Sequence, residues 1–203
     1  MNGNKTDSPL VLLFVEGDTD MVFFNALLRY YRSESKSPMN AFQVVNLQSV
    51  TRYAGKMINK LQNDIIPTAV TKGRSVKAVC CSYDTDVFDN GIQVVNWKML
   101  KKRVRRLGIA DFFRIGVKSM IEDWLLDDIE GLCSYLKLKQ IPVSLYGKTG
   151  YDKLVSLFAR AGYKYSKGFS VSAFIGCLDM SKIREKHKDT LRELELALNA
   201  TMV

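Results

Sequence analysis

The sequence predicts an α/β fold, a mostly parallel four-stranded sheet flanked by helices and followed by a C-terminal helical extension. Three observations carry that expectation. The stretch from Leu10 to Val15 reads LVLLFV, six apolar residues without a break, which is the pattern of a strand buried on both faces of a parallel sheet. Strand-like runs then alternate with helix-compatible segments, an order that favours crossovers between parallel strands. Finally, three of the four strand-like runs lead directly into acids, and the carboxyl ends of strands are where the loops of such sheets line a crevice.

The first strand runs into Glu16 and Gly17, with Asp18 and Asp20 close behind, so Asp18 or Thr19 is the expected N-cap of a helix over Met21 to Arg32. That helix turns Val22, Leu28 and its aromatic residues inward. The polar stretch SESKSPMN separates it from a second strand, Ala41 to Leu47. Thr51 to Ile65 reads as a helix with Lys56, Lys60 and Asp64 on one exposed side, stopped by Pro67. A third strand, Ser75 to Tyr83, meets Asp84, Asp86 and Asp89. Gly91 to Leu107 reads as a helix closed by Gly108, its last turns carrying Lys101, Lys102, Arg103, Arg105 and Arg106. Asp111 to Val117 is a short fourth strand, and Ser119 is placed to cap a helix beginning IEDWLLDD, with Glu122 in capping-box position. After Pro142 come the loop LYGKTG, an amphipathic helix over Tyr151 to Ala161, the loop GYKYSKG and a helical region from Val171 to Ala200. The predicted organisation is one domain over residues 1–168, with residues 169–203 packed on it as a helical extension.

At 203 residues, 47% of them hydrophobic, the chain suits a single domain with a substantial core. Nothing approaches the ~18 continuous apolar residues of a membrane span, and the polar start MNGNKTDSPL has no signal-peptide pattern, so the expectation is a cytoplasmic protein with no membrane partner. The four cysteines, Cys80, Cys81, Cys133 and Cys177, lack CxxC or zinc spacing and read as reduced, partly buried thiols. With His187 the single histidine, any catalysis has to draw on carboxylates and lysines. The net charge of +9, from 30 Lys and Arg against 21 acids, fits a polyanionic partner, nucleic acid first, and equally a merely soluble surface.

The acids give the chain its most specific chemistry. Asp84 and Asp86 stand two apart after a strand, so an extended backbone would point both the same way, and Glu16 and Asp20 stand where a strand end and a first helical turn reach one crevice. Hard oxygen ligands of this kind suit Mg²⁺ or Mn²⁺, and two such ions about 4 Å apart can stabilise the attacking and leaving oxygens of a phosphodiester displacement. Singly, each cluster reads as turn or capping residues, and the DTD at Asp84 to Asp86 also suits a phosphatase with Asp84 as nucleophile. Together, three acidic clusters at one sheet edge would repel one another without cations.

These residues resemble the Toprim domain, in particular the Toprim nucleases of the overcoming-lysogenization-defect (OLD) family. Glu16, Gly17, Thr19 and Asp20 match its EG-x-TD motif, Asp84 and Asp86 its DxD, Glu122 (or, second, Asp123) its third acid, and Lys167 in KYSKG its late lysine. Over about Leu10 to Gly168, the resemblance implies a Rossmann-like sheet and a metal-dependent endonuclease acting on DNA or RNA in prokaryotic phage defence or DNA processing. It assigns Glu16, Asp20, Asp84, Asp86 and Glu122 to two Mg²⁺ or Mn²⁺ ions, with Glu16 and Lys167 as catalytic residues. Lys167 stabilises developing charge or positions water in this scheme, with Lys148 a weaker candidate for the role. Lys101, Lys102, Arg103, Arg105, Arg106, Lys148, Lys153 and Lys164 would line the nucleic-acid path, and Tyr151, Tyr163 and Tyr165, interleaved with Lys153, Lys164 and Lys167, suit either base stacking or helix packing. No Walker A loop occurs in the sequence, so an ABC-type ATPase subunit would be a separate chain; a homo-oligomer is also open. The competing reading is a non-catalytic Toprim-like nucleic-acid-binding or regulatory subunit.

Overall fold

The computed structural model of the protein describes residues 8–88 and 95–202. Its centre is a four-stranded, all-parallel sheet in the order β2-β1-β3-β4, with β1 Leu10–Val15, β2 Ala41–Asn46, β3 Val76–Asp84 and β4 Asp111–Val117. The unbroken apolar pattern of β1 follows from its central place: Val11, Leu13 and Val15 enter one core layer and Leu10, Leu12 and Phe14 the other. Neither face of this strand meets water, so polar alternation has no position to occupy.

Helix α1, Asp18–Glu34, covers the first face with Phe23, Phe24, Leu27, Leu28 and Tyr31, all buried. Its N-cap is Gly17, in extended conformation, instead of Asp18 or Thr19. Those side chains are committed elsewhere: Asp18 Oδ1 accepts from Asn46 Nδ2 at 2.6 Å, and Thr19 Oγ1 accepts from the Gly168 backbone N–H at 2.8 Å. The opposite face is covered by α2 (50–71) and α3, Trp97–Arg106. Pro67 does not stop α2. The turn Leu61–Ile65 is widened to π geometry, with Ile66 N–H donating to the Leu61 carbonyl, and Pro67 stands in the first turn of the α-helical segment Ile66–Thr71 that follows. There its missing N–H and its ring conflict least with the preceding turn. Helix α3 begins at Trp97, capped by Asn96 Oδ1 accepting from Met99 N–H at 3.0 Å; the expected start at Gly91 and the acid Asp89 lie outside the described residues.

After β4 come α4 Ile121–Leu125, α5 Ile129–Tyr135, α6 Gly150–Arg160, α7 Ser172–Ile175, α8 Met180–Lys186 and α9 Lys188–Leu198. The expected Ser119 capping box is absent. Ser119 adopts φ +59°, its N–H donates to Thr85 Oγ1 at 2.9 Å, and Met120 is the N-cap, which frees Glu122 to turn inward. A capping box does form at α6, between Thr149 and Asp152. The expected C-terminal helical region is three helices: Asp179 caps α8, and His187 joins α8 to α9. Leu191, Leu194, Ala197 and Leu198 of α9 extend the core layer that α1 shares with β1 and β4. All four cysteines are free, with Cys177 exposed and the others buried. Among the described residues no helix is long and apolar enough to cross a membrane.

Candidate active site

In this strand order the chain leaves β1 toward β2, then crosses back to β3 on the other side. The reversal therefore lies between the carboxyl ends of β1 and β3, where parallel α/β sheets form their crevice. A cavity of about 380 Å³ opens there, lined by Glu16, Asp20, Asp84, Glu122 and Lys167 among others. The sequence-predicted acids of three strand ends and the predicted lysine thus meet in one place.

Their environments divide them into two kinds. Glu16 is tied into the backbone: Oε1 accepts from Asp84 N–H at 3.0 Å and Oε2 from Val50 N–H at 3.2 Å, so one carboxylate joins the ends of β1 and β3 to the start of α2. Burial raises its pKa, and those two N–H groups oppose the rise. Glu122, fully buried, is held by Lys167 Nζ at 3.1 Å and by the Tyr165 hydroxyl, which donates to Oε1 at 3.3 Å. The ammonium of Lys167 is half exposed to the cavity and lies 5.3 Å from the centre of the Tyr151 ring.

Asp20 and Asp84 differ from both. Each has a buried Oδ1 with no hydrogen-bond partner. Burial, reinforced by Glu16 and Glu122, pushes the Asp20 carboxyl up to about 7, and burial together with Asp20, Glu16 and Asp86 pushes Asp84 up to about 8. Burial and the surrounding acids disfavour the charged form of both carboxyls, and Lys167 opposes the rise only in part at Asp20. Bare carboxylate oxygens in a repelling cluster are the donor set of a hard divalent cation, and Mg²⁺ commonly takes only one or two carboxylates, keeping waters and substrate oxygens as its other ligands. The residues fit such an ion to that extent. Among the described residues, no three His, Cys, Asp or Glu side chains are arranged to hold a metal.

The remaining predicted residues lie elsewhere. The chain does not stay extended after β3: Asp86 begins a 3₁₀ turn, Asp86–Phe88, and does not line the cavity. Asp123 packs against Gly150, whose missing side chain admits it. Lys148 lines a separate groove with Tyr146, Asp152 and Val155, and Lys164 is exposed outside the cavity. Because α3 runs from the carboxyl end of β3 back to the start of β4, its last residues, Arg105 and Arg106, lie toward the sheet edge opposite the acids. Arg103 is used internally, donating to the Ala54 carbonyl, whereas Lys101 lines a cleft at β4 and Lys102 is exposed.

Tyr165 is the site residue that sequence reasoning left aside. Its signal was the spacing Tyr165-x-Lys167: two apart in a non-helical segment, both side chains reach Glu122. Comparison with protein-family models, with curated proteins and with solved structures gives no match to this chain.

Proposed function

We propose that the protein is a metal-dependent nuclease of the Toprim kind, cleaving phosphodiester bonds of nucleic acid at the carboxyl ends of β1 and β3. One observation carries the reading: two buried carboxylate oxygens, Asp20 Oδ1 and Asp84 Oδ1, left without partners in a single cavity whose wall bears an accessible lysine. Tyr31, Ser82 and Trp124 also bear a bare buried polar atom, but Asp20 and Asp84 are the acids among these groups and line the cavity at the sheet's switch point, where a cation would satisfy them. Asp20 and Asp84 would hold Mg²⁺ or Mn²⁺, which supplies charge neutralisation and Lewis acidity toward a phosphate oxygen when bound.

The chain's own groups then have separable tasks. Glu16 fixes the end of β1 against Asp84 and the start of α2, a positioning role beside the ligation expected from the sequence. Lys167 presents its ammonium to the cavity, where it can bind a non-bridging phosphate oxygen and stabilise charge that develops there. Tyr165 and Glu122 orient that ammonium. A second ion would need Glu122 to exchange Lys167 for metal, since Asp86 does not line the cavity. A non-catalytic binding module draws support from the two glutamates being internally satisfied. The test is nicking of supercoiled plasmid and cleavage of labelled RNA in Mg²⁺ or Mn²⁺ by wild type, Asp20→Asn and Lys167→Met. Metal-dependent cleavage lost in both variants is expected; wild type inert on both polymers, with no metal-induced rise in melting temperature, overturns the nuclease reading.

A further inference from the structure

A second concave site lies on the open edge of β4, which has no strand partner on its outer side among the described residues. This cleft, about 500 Å³, is walled by Lys98, Lys101 and Arg114, with one acid, Glu193, and with the rings of Tyr83 and Trp97 between them. The rings stack obliquely, centroids 4.9 Å apart, and the Arg114 guanidinium stands 5.8 Å from the Trp97 ring centre. All three cations are exposed, and both rings are only half-buried. Phosphates seek the cations, and any unpaired base has a π-face for the rings.

We infer that this cleft binds single-stranded polynucleotide and leads it to the carboxylate cavity. The destination of the strand rests on the nuclease reading; the binding itself does not. Continuity between the two sites is set by β3: Tyr83 lines the cleft, and the very next residue, Asp84, lines the carboxylate cavity. Consecutive residues of a strand face opposite sides of the sheet with Cα atoms about 3.8 Å apart. A strand lying along the cleft and turning over the carboxyl end of β3 therefore arrives at Asp84. The cleft also separates the basic residues of α3 by role, because Lys98 and Lys101 face it while Arg103 is held by the Ala54 carbonyl. Duplex nucleic acid presents its bases edge-on in the grooves and offers the rings no stacking face.

Binding is read by fluorescence anisotropy of 5′-labelled oligo(dT) and oligo(U) 20-mers in EDTA, where no cleavage occurs. The double reversal Lys98→Glu/Arg114→Glu is expected to weaken binding about tenfold or more, while Lys36→Glu/Lys139→Glu, the same charge change at exposed lysines outside the cleft, changes it about twofold at most. Lys101→Ala, a milder change that keeps the fold, is expected to lower the salt dependence of log K by about 0.7. Weakening on one polymer only supports the inference and identifies the natural strand. Equal weakening by the two double variants overturns it, as does equal competition by a blunt duplex. The two readings fail separately: if only the nuclease reading is wrong, the cleft variants still lose binding in EDTA, and if only the cleft inference is wrong, Lys98→Glu/Arg114→Glu cleaves as wild type does.

Discussion

Replacing Asp84 by Asn should stabilise the metal-free protein, although active-site substitutions are usually expected to be neutral or harmful. The Asp84 carboxyl has an ordinary value of 3.8 and is pushed up to about 8 in the fold, chiefly by burial and then by Asp20 and Glu16. The folded state therefore holds this proton more tightly than the unfolded state does. Where the folded state binds more protons, stability falls as pH rises, so stability present at pH 4 is lost progressively through about pH 8. At about 1.4 kcal/mol per tenfold change in proton affinity, the full rise would correspond to about 6 kcal/mol. Neighbouring acids contribute to this rise and the cavity is open to solvent, so less than half of this, about 2–3 kcal/mol, is assigned to the burial of Asp84. Asn carries no charge to bury and escapes the loss. For a domain of this size about 1 kcal/mol moves the melting temperature by about 2–4 °C, so Asp84→Asn should melt about 5–10 °C above wild type at pH 8 in EDTA and at nearly the same temperature at pH 4–5. Mg²⁺ at a hundred times its dissociation constant should restore about 2.7 kcal/mol to wild type and nothing to the variant. Calorimetry across pH 4–9, with and without Mg²⁺, reads all of these. A variant melting below wild type at pH 8, or following the same pH slope, would refute the claim that an uncompensated carboxylate pair sits in this cavity.

Four further substitutions separate the roles of individual groups. Glu16→Gln sets an amide NH₂ against the N–H of Asp84 or Val50 and should cost about 1–3 kcal/mol in denaturant melts, so its loss of activity would report on the fold as well as the chemistry. Tyr165→Phe removes the hydroxyl on Glu122 and should slow cleavage by roughly tenfold or less with little change in stability, whereas Lys167→Met should slow it by roughly a hundredfold or more; equal effects would deny Lys167 the direct role. Gly131→Ala would set a Cβ 2.2 Å from Asp128 Oδ2 and 2.8 Å from the Cys177 carbonyl oxygen. Because Asp128 accepts from Asp179 N–H at 2.8 Å and anchors α8, the expected loss is about 2–3 kcal/mol, seen as a lower denaturation midpoint with Mg²⁺-induced stabilisation retained.

Much of the fold was legible because its centre obeys a single rule: a strand buried on both faces must be apolar throughout. Leu10–Val15 and Asp111–Val117 have the predicted limits, and β2 and β3 differ by a residue at their ends. What was misread was local and had tertiary causes. Asp18 and Thr19 have the chemistry of N-caps, but Asn46 and Gly168, distant in sequence, claim their side chains. Pro67 reads as a stop unless the π turn before it is known, and that turn leaves no compositional mark. Ser119 followed by Glu122 spells a capping box, yet Glu122 is drawn inward by Lys167 and Tyr165 from beyond α6. A sequence announces which groups could make a bond; competition among partners far along the chain decides which bond is made.

That competition also bears on the acids themselves. The resemblance assigned Glu16, Asp20, Asp84, Asp86 and Glu122 to two ions, with Glu16 also catalytic. Folding distinguishes them by what else lies within reach. Glu16 emerges where two backbone N–H groups point into the crevice, and Glu122 emerges opposite a lysine, so both are satisfied without a ligand. The bend after β3 carries Asp86 out of the cavity. Of these five acids, Asp20 and Asp84 each keep a buried oxygen bare, and their burial disfavours the charged form. A fold that ties two neighbouring acids leaves an oxygen of each of these two bare in the same cavity, so under the proposed function the ion would sit between α1 and the end of β3, in the cavity that Lys167 also lines.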